Sequence, residues 1–147
     1  MFKLRSTPVL RISATATLLT VLAATSGCNR DPNVRKQKYL ESGQRYYNEG
    51  KYKEATLQYY NALKTDKAFS PAHYELGRAF LKMGMVGQAY PELQTAVNLT
   101  PGNIPARVEL GNLLLQGRLP DRAADQANAI LKAQPNNPDG LAMLANV

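Results

Sequence analysis

Two side chains in this 147-residue sequence belong to types that react readily: Cys28, the single cysteine, and His73, the single histidine. A thiol can take an acyl group or a metal, and an imidazole can move a proton. Neither has a partner set. One cysteine excludes an internal disulfide, and one Cys with one His falls short of the ligand count of a zinc site. A hydroxyl nucleophile needs a base that a third group orients, and His73 falls at a position that packs. Asp121 and Asp125 stand one helical turn apart, a spacing that reads as solvated surface charge. No glycine-rich loop with a following Lys is present to cradle a phosphate. The sequence therefore predicts no catalytic residues, no metal, no cofactor and no small-molecule substrate. The expectation is that the chain is not an enzyme.

The glycines fall on a period instead. A step of 34 residues links Gly43, Gly77 and Gly111; Ala55, Ala89 and Ala123; Tyr46, Phe80 and Leu114; and Pro101 and Pro135. Self-similarity at a fixed period between 20 and 50 residues marks a solenoid. A glycine inside a helix costs about 1 kcal/mol against alanine, so its recurrence needs a packing reason, such as two backbones crossing closely.

A period of 34 with Leu-Gly, an aromatic three residues on, Ala twelve after the Gly and a closing Pro resembles the tetratricopeptide repeat (TPR). The resemblance covers Lys36 to Val147. It implies an all-α, right-handed solenoid of helix-turn-helix repeats at 36–69, 70–103 and 104–137, with the start of a fourth at 138–147. The pattern predicts helices A and B of each repeat at Asn33–Glu49 and Tyr52–Thr65, Ser70–Met83 and Val86–Leu99, and Ile104–Gln116 and Pro120–Ala133. A seventh helix opens at Pro138. Asp31 or Asn33 is expected to cap the first helix, and Ser70 the third, with Pro71 at its first helical position. Gly50 and Gly84 close the A helices; Arg118 stands where the step demands a third glycine. Pro91 inside its helix removes a donor and should bend it slightly.

In this family the concave face is lined by helix A. Carried over by position, that face comprises Gln37, Leu40, Gln44, Tyr47 and Asn48; Pro71, Tyr74, Arg78, Leu81 and Lys82; and Pro105, Val108, Asn112, Leu115 and Gln116. Amides can pair with the backbone of an extended peptide, and Tyr and Arg are frequent interface anchors. The resemblance thus implies a protein or peptide partner held through Gln44, Tyr47, Asn48, Tyr74, Arg78, Lys82, Asn112 and Gln116. The family's carboxylate clamp is not expected. Leu40, Gln44, Glu75, Pro105 and Glu109 occupy its positions, and the two acids would repel a carboxylate.

The N-terminus reads as an address. Basic residues within Met1–Arg11 precede an apolar Ile12–Ala24 run that is too short to span a bilayer comfortably. Thr25-Ser26-Gly27 before Cys28 resembles a bacterial lipobox, with Thr25 in place of the usual Leu. The resemblance implies a signal peptide over 1–27 and cleavage before Cys28. It also implies acylation of that cysteine and a tether over 28–35. Several acyl chains anchor stably, at about 0.8 kcal/mol per buried CH₂. Asn29 in place of Asp leans toward the outer over the inner membrane, facing the periplasm.

The formal charge is +7. Lys and Arg are scattered among Glu and Asp, without the clustered stripe that nucleic-acid binding uses. Arg30, Arg35, Lys36 and Lys38 are expected to form a solvated first turn. The combined expectation is a membrane-tethered scaffold in the bacterial cell envelope, of the kind that serves assembly or secretion. The alternative is the N-terminal targeting arm of a longer repeat protein or envelope enzyme, since the sequence ends apolar and mid-helix at position 10 of the fourth repeat.

Overall fold

The computed structural model describes residues 31–147. Cys28 and the lipobox expectation lie outside them. Among the described residues there are seven helices and no strand. They are α1 (Pro32–Asn48), α2 (Tyr52–Thr65), α3 (Ser70–Lys82), α4 (Val86–Leu99), α5 (Ile104–Gln116), α6 (Pro120–Ala133) and α7 (Pro138–Ala145). Each packs on the next in sequence, and α1 also meets α3, as α5 meets α7. This is a solenoid of helical hairpins.

The turns explain the phasing. The A helices of the first three repeats are each followed by a residue with positive φ: Gly50 at 74°, Gly84 at 71° and Arg118 at 56°. The left-handed conformation is open to glycine and strained for a residue with a β-carbon. Arg118 thus adopts the backbone of the glycine it replaces, while Gly117 stays at −77°.

The core is made by small residues that let large ones in. Ala55, Ala62, Ala89, Ala96 and Ala123 are fully buried, as are Tyr59, Leu76, Leu93 and Leu110. The repeating helix A glycines sit where a neighbour fills their missing side chain. A β-carbon on Gly43 would clash with the ring edge of Tyr59, and one on Gly77 would lie 2.7 Å from Leu93 Cγ. Tyr59 and Leu93 occupy the same position of helix B in successive repeats. In the third repeat that position holds Ala127, too small to reach. The space over Gly111 is taken by Met143, from α7 of the next repeat. Helix α7 in turn leaves Leu141, Leu144 and Val147 exposed.

Several local expectations change. Ser70 is the first residue of α3 and not its cap. Its hydroxyl is buried and donates to the Ala96 carbonyl across the hairpin at 3.1 Å. Asn33 lies inside α1, which starts at Pro32. Asn103 caps α5, accepting from Ala106 N at 3.1 Å, and Asn137 caps α7, accepting from Gly140 N at 3.0 Å. Each leaves one fewer helix-end donor unpaired. Leu40 is 5% exposed and belongs to the core, not to the concave face. Helix α4 continues through Pro91, whose carbonyl accepts from Thr95 Oγ1 at 2.8 Å.

Candidate functional site

Tyr47 on α1 and Tyr74 and Arg78 on α3 come together. The Arg78 guanidinium stands 4.7 Å from the centre of the Tyr47 ring and 5.5 Å from that of Tyr74. A cation over an aromatic face is attracted by the ring quadrupole. Tyr47 is steadied by an edge-on contact with Tyr52, with ring centres 5.2 Å apart. Arg78 Nη1 donates to Glu75 Oε2 at 2.9 Å, and Gln44 Nε2 donates to Glu75 Oε1 at 3.4 Å. Two residues assigned to partner contact, Gln44 and Arg78, thus each donate one hydrogen bond to Glu75, whose side chain is largely buried. What faces outward here is a braced aromatic ledge with a neutralised ion pair behind it.

Under this ledge lies a polar group without a partner. Tyr59 is fully buried, and its hydroxyl has no hydrogen-bond partner among the described residues. Burial pushes its pKa well up, with Glu75 adding to the shift and Arg78 opposing it.

Along the array from Tyr74, toward α5 and the loop before α7, a hollow of about 410 Å³ opens. Ile104, Pro105 and Val108 form its apolar wall, with Glu109 and Asp139 at its edge. Burial raises the pKa of Tyr74, Arg78 opposes the shift, and Glu75 and Glu109 reinforce it; Glu109 is thus within electrostatic reach of the ring. Pro105, Val108 and Tyr74 were legible as groove positions. Gln134, Asn137 and Asp139 were not, because they belong to the turn and helix that follow. Of the other sequence-predicted residues, Asn48, Lys82, Asn112 and Gln116 are exposed. A second, apolar hollow of about 460 Å³ lies at the turn edge between Val86, Tyr90 and Leu119. Arg122 hydrogen-bonds the Tyr90 hydroxyl there.

His73 does more than pack. Its Nδ1 lies 2.6 Å from Glu92 Oε2, and its Nε2 lies 3.0 Å from the Lys67 carbonyl. Both nitrogens face acceptors, which favours the doubly protonated ring. The Glu92 hydrogen bond raises its pKa, against burial. His73 ties α3 to α4 and to the preceding turn. Lys36 is similarly committed: its Nζ is 2.6 Å from Asp66 Oδ2 and lies over the Phe69 ring. Among the described residues no three His, Cys, Asp or Glu side chains cluster as a metal site would require.

Two family models for this repeat match the chain, one described as a TPR repeat over residues 43–84 and one as a tetratricopeptide repeat over 80–147. The repeats are tetratricopeptide repeats. The human DnaJ homolog subfamily C member 3 is 33% identical over 105 residues, or 71% of this chain. The match takes in 21% of that protein, so the chain spans about a fifth of the length of the curated relatives it matches. Among solved structures, the Arabidopsis OM64 TPR domain superposes with a TM-score of 0.70 at 19% identity, covering 77% of this chain and 93% of that one. The first TPR of Spaghetti (RPAP3), bound to the HSP90 peptide SRMEEVD, gives 0.69 at 21%, covering 76% and 90%. At these identities the structural likeness establishes the TPR fold.

Proposed function

We propose that the concave face of this TPR array holds an extended segment of a partner protein, and that Tyr47 and Tyr74 are its anchor. The observation that carries this reading is the bracing of both rings by one guanidinium that Glu75 has already neutralised. Fixing those side chains in advance lowers the ordering cost of binding. The TPR neighbours that hold HSP90 and HSP70 peptides support a peptide as the ligand. The mode here differs from a carboxylate clamp, since Glu75 and Glu109 occupy clamp positions. We further propose that a lipid on Cys28 holds the array at the bacterial envelope membrane, facing the periplasm, where it serves assembly or secretion. The small residues before the lone cysteine support that reading.

In-cell cross-linking followed by capture tests the first part. Replacing Tyr74 and Arg78 together with Ala should abolish partner adducts while leaving the helical content intact; unchanged capture would remove the groove reading. Intact mass of the protein from its native membrane fraction tests the second. An acylated chain beginning at Cys28 supports the anchor, and an unacylated one refutes it.

A further inference from the structure

The hollow beside Tyr74 has a charge preference. Glu109 and Asp139 line it, and among the described residues neither makes an ion pair or a hydrogen bond. Arg78, the nearest strong cation on the ledge, is already paired with Glu75 at 2.9 Å. Asp139 also lies in the first turn of α7. Ile104, Pro105 and Val108 make an apolar wall, Gln134 and Asn137 add amides, and Tyr74 offers an aromatic ring. This acidic hollow sits on a chain whose formal charge is +7, or +4 without the Lys3, Arg5 and Arg11 of residues 1–27. Unspecific long-range attraction would draw acidic ligands to such a protein; the hollow is set against that background.

We infer that this hollow takes a Lys or Arg side chain carried on an otherwise aliphatic, extended peptide. The cation meets Glu109 and Asp139 and the Tyr74 ring, and its aliphatic neighbours lie on Ile104, Pro105 and Val108. A cation–π contact and a charge-assisted hydrogen bond both strengthen where water is partly excluded. The inference rests on the peptide-binding reading above and adds the ligand's charge. It places the chain's specificity opposite to that of the neighbour carrying the acidic SRMEEVD peptide.

A random peptide library displayed on phage and selected against the full chain tests this, with the enriched sequence resynthesised and its affinity measured by fluorescence anisotropy. The expected consensus has Lys or Arg flanked by aliphatic residues. Affinity should fall about tenfold in the Glu109→Gln, Asp139→Asn double variant, which keeps side-chain shape, and should fall as salt rises. Enrichment of acidic or uncharged peptides that still depend on Tyr74 and Arg78 would overturn the charge preference and leave the groove standing. Peptides indifferent to all these variants, or no enrichment, would overturn both.

Discussion

Met143 packs on Gly111 from the following repeat, in the place that Leu93 fills over Gly77 from within its own hairpin. The same glycine position thus meets three different neighbours, and they differ in what they can yield. At Gly43 a β-carbon would strike the aromatic ring of Tyr59, which cannot bend away. At Gly111 it would meet the sulfur and terminal methyl of a flexible Met. Alanine gains about 1 kcal/mol of helix propensity at either site. Overpacking costs about 1–3 kcal/mol where neighbours are rigid. Gly43→Ala should therefore lower stability by up to about 2 kcal/mol, whereas Gly111→Ala should be near neutral. Urea denaturation of the two variants checks the order.

Arg118 occupies a left-handed turn with φ 56°, where Gly50 and Gly84 occupy theirs. The strain of a β-carbon in that region is about 1 kcal/mol. Arg118→Gly should raise the unfolding midpoint in urea without changing the slope of the transition. A lowered midpoint would mean that the Arg118 side chain contributes more than its backbone costs.

His73 links stability to pH. Its pKa is raised in the folded protein, chiefly by the Glu92 hydrogen bond. The stabilisation is fully present below the unfolded value of about 6.5 and is lost as pH rises through the higher folded value. Stability should therefore decline with pH over that window. His73→Gln should flatten the decline, measured by thermal melts at a series of pH values.

The Tyr59 hydroxyl is buried with no partner among the described residues. An unsatisfied buried polar group costs about 1–3 kcal/mol. Tyr59→Phe should leave stability unchanged or raise it, while Tyr59→Ala should lower it by about 3–5 kcal/mol through the cavity over Gly43. Guanidinium unfolding of both variants separates the ring's contribution from the hydroxyl's. A clear loss in Tyr59→Phe would show that the hydroxyl is bonded, for instance to an ordered water.

The helices were legible because their punctuation is local. Gly50, Gly84 and the prolines at 71, 105, 120 and 138 mark ends and starts, so boundaries read from the 34-residue step fall within two residues of those observed. What stayed hidden depends on neighbours in space. Ser70 looks like a cap until the Ala96 carbonyl is seen opposite it. Position alone put Leu40 on the concave face, yet it is buried in the core. Arg78 and Gln44 read as binding groups, and the sequence did not show that Glu75, one turn before Arg78 and across from Gln44, accepts a hydrogen bond from each. Asp139 gave no signal as a groove residue, because its place depends on how α7 docks.

Photo-cross-linking in cells tests the central claim most directly, with a photoreactive amino acid at one of two exposed positions: Asn112 on helix A of the third repeat, or Asn128 on its helix B. Binding in the concave face should give a discrete partner adduct from position 112 and none from 128. Adducts of equal yield from both positions, or an adduct from 128 alone, would place the partner elsewhere and contradict the claim.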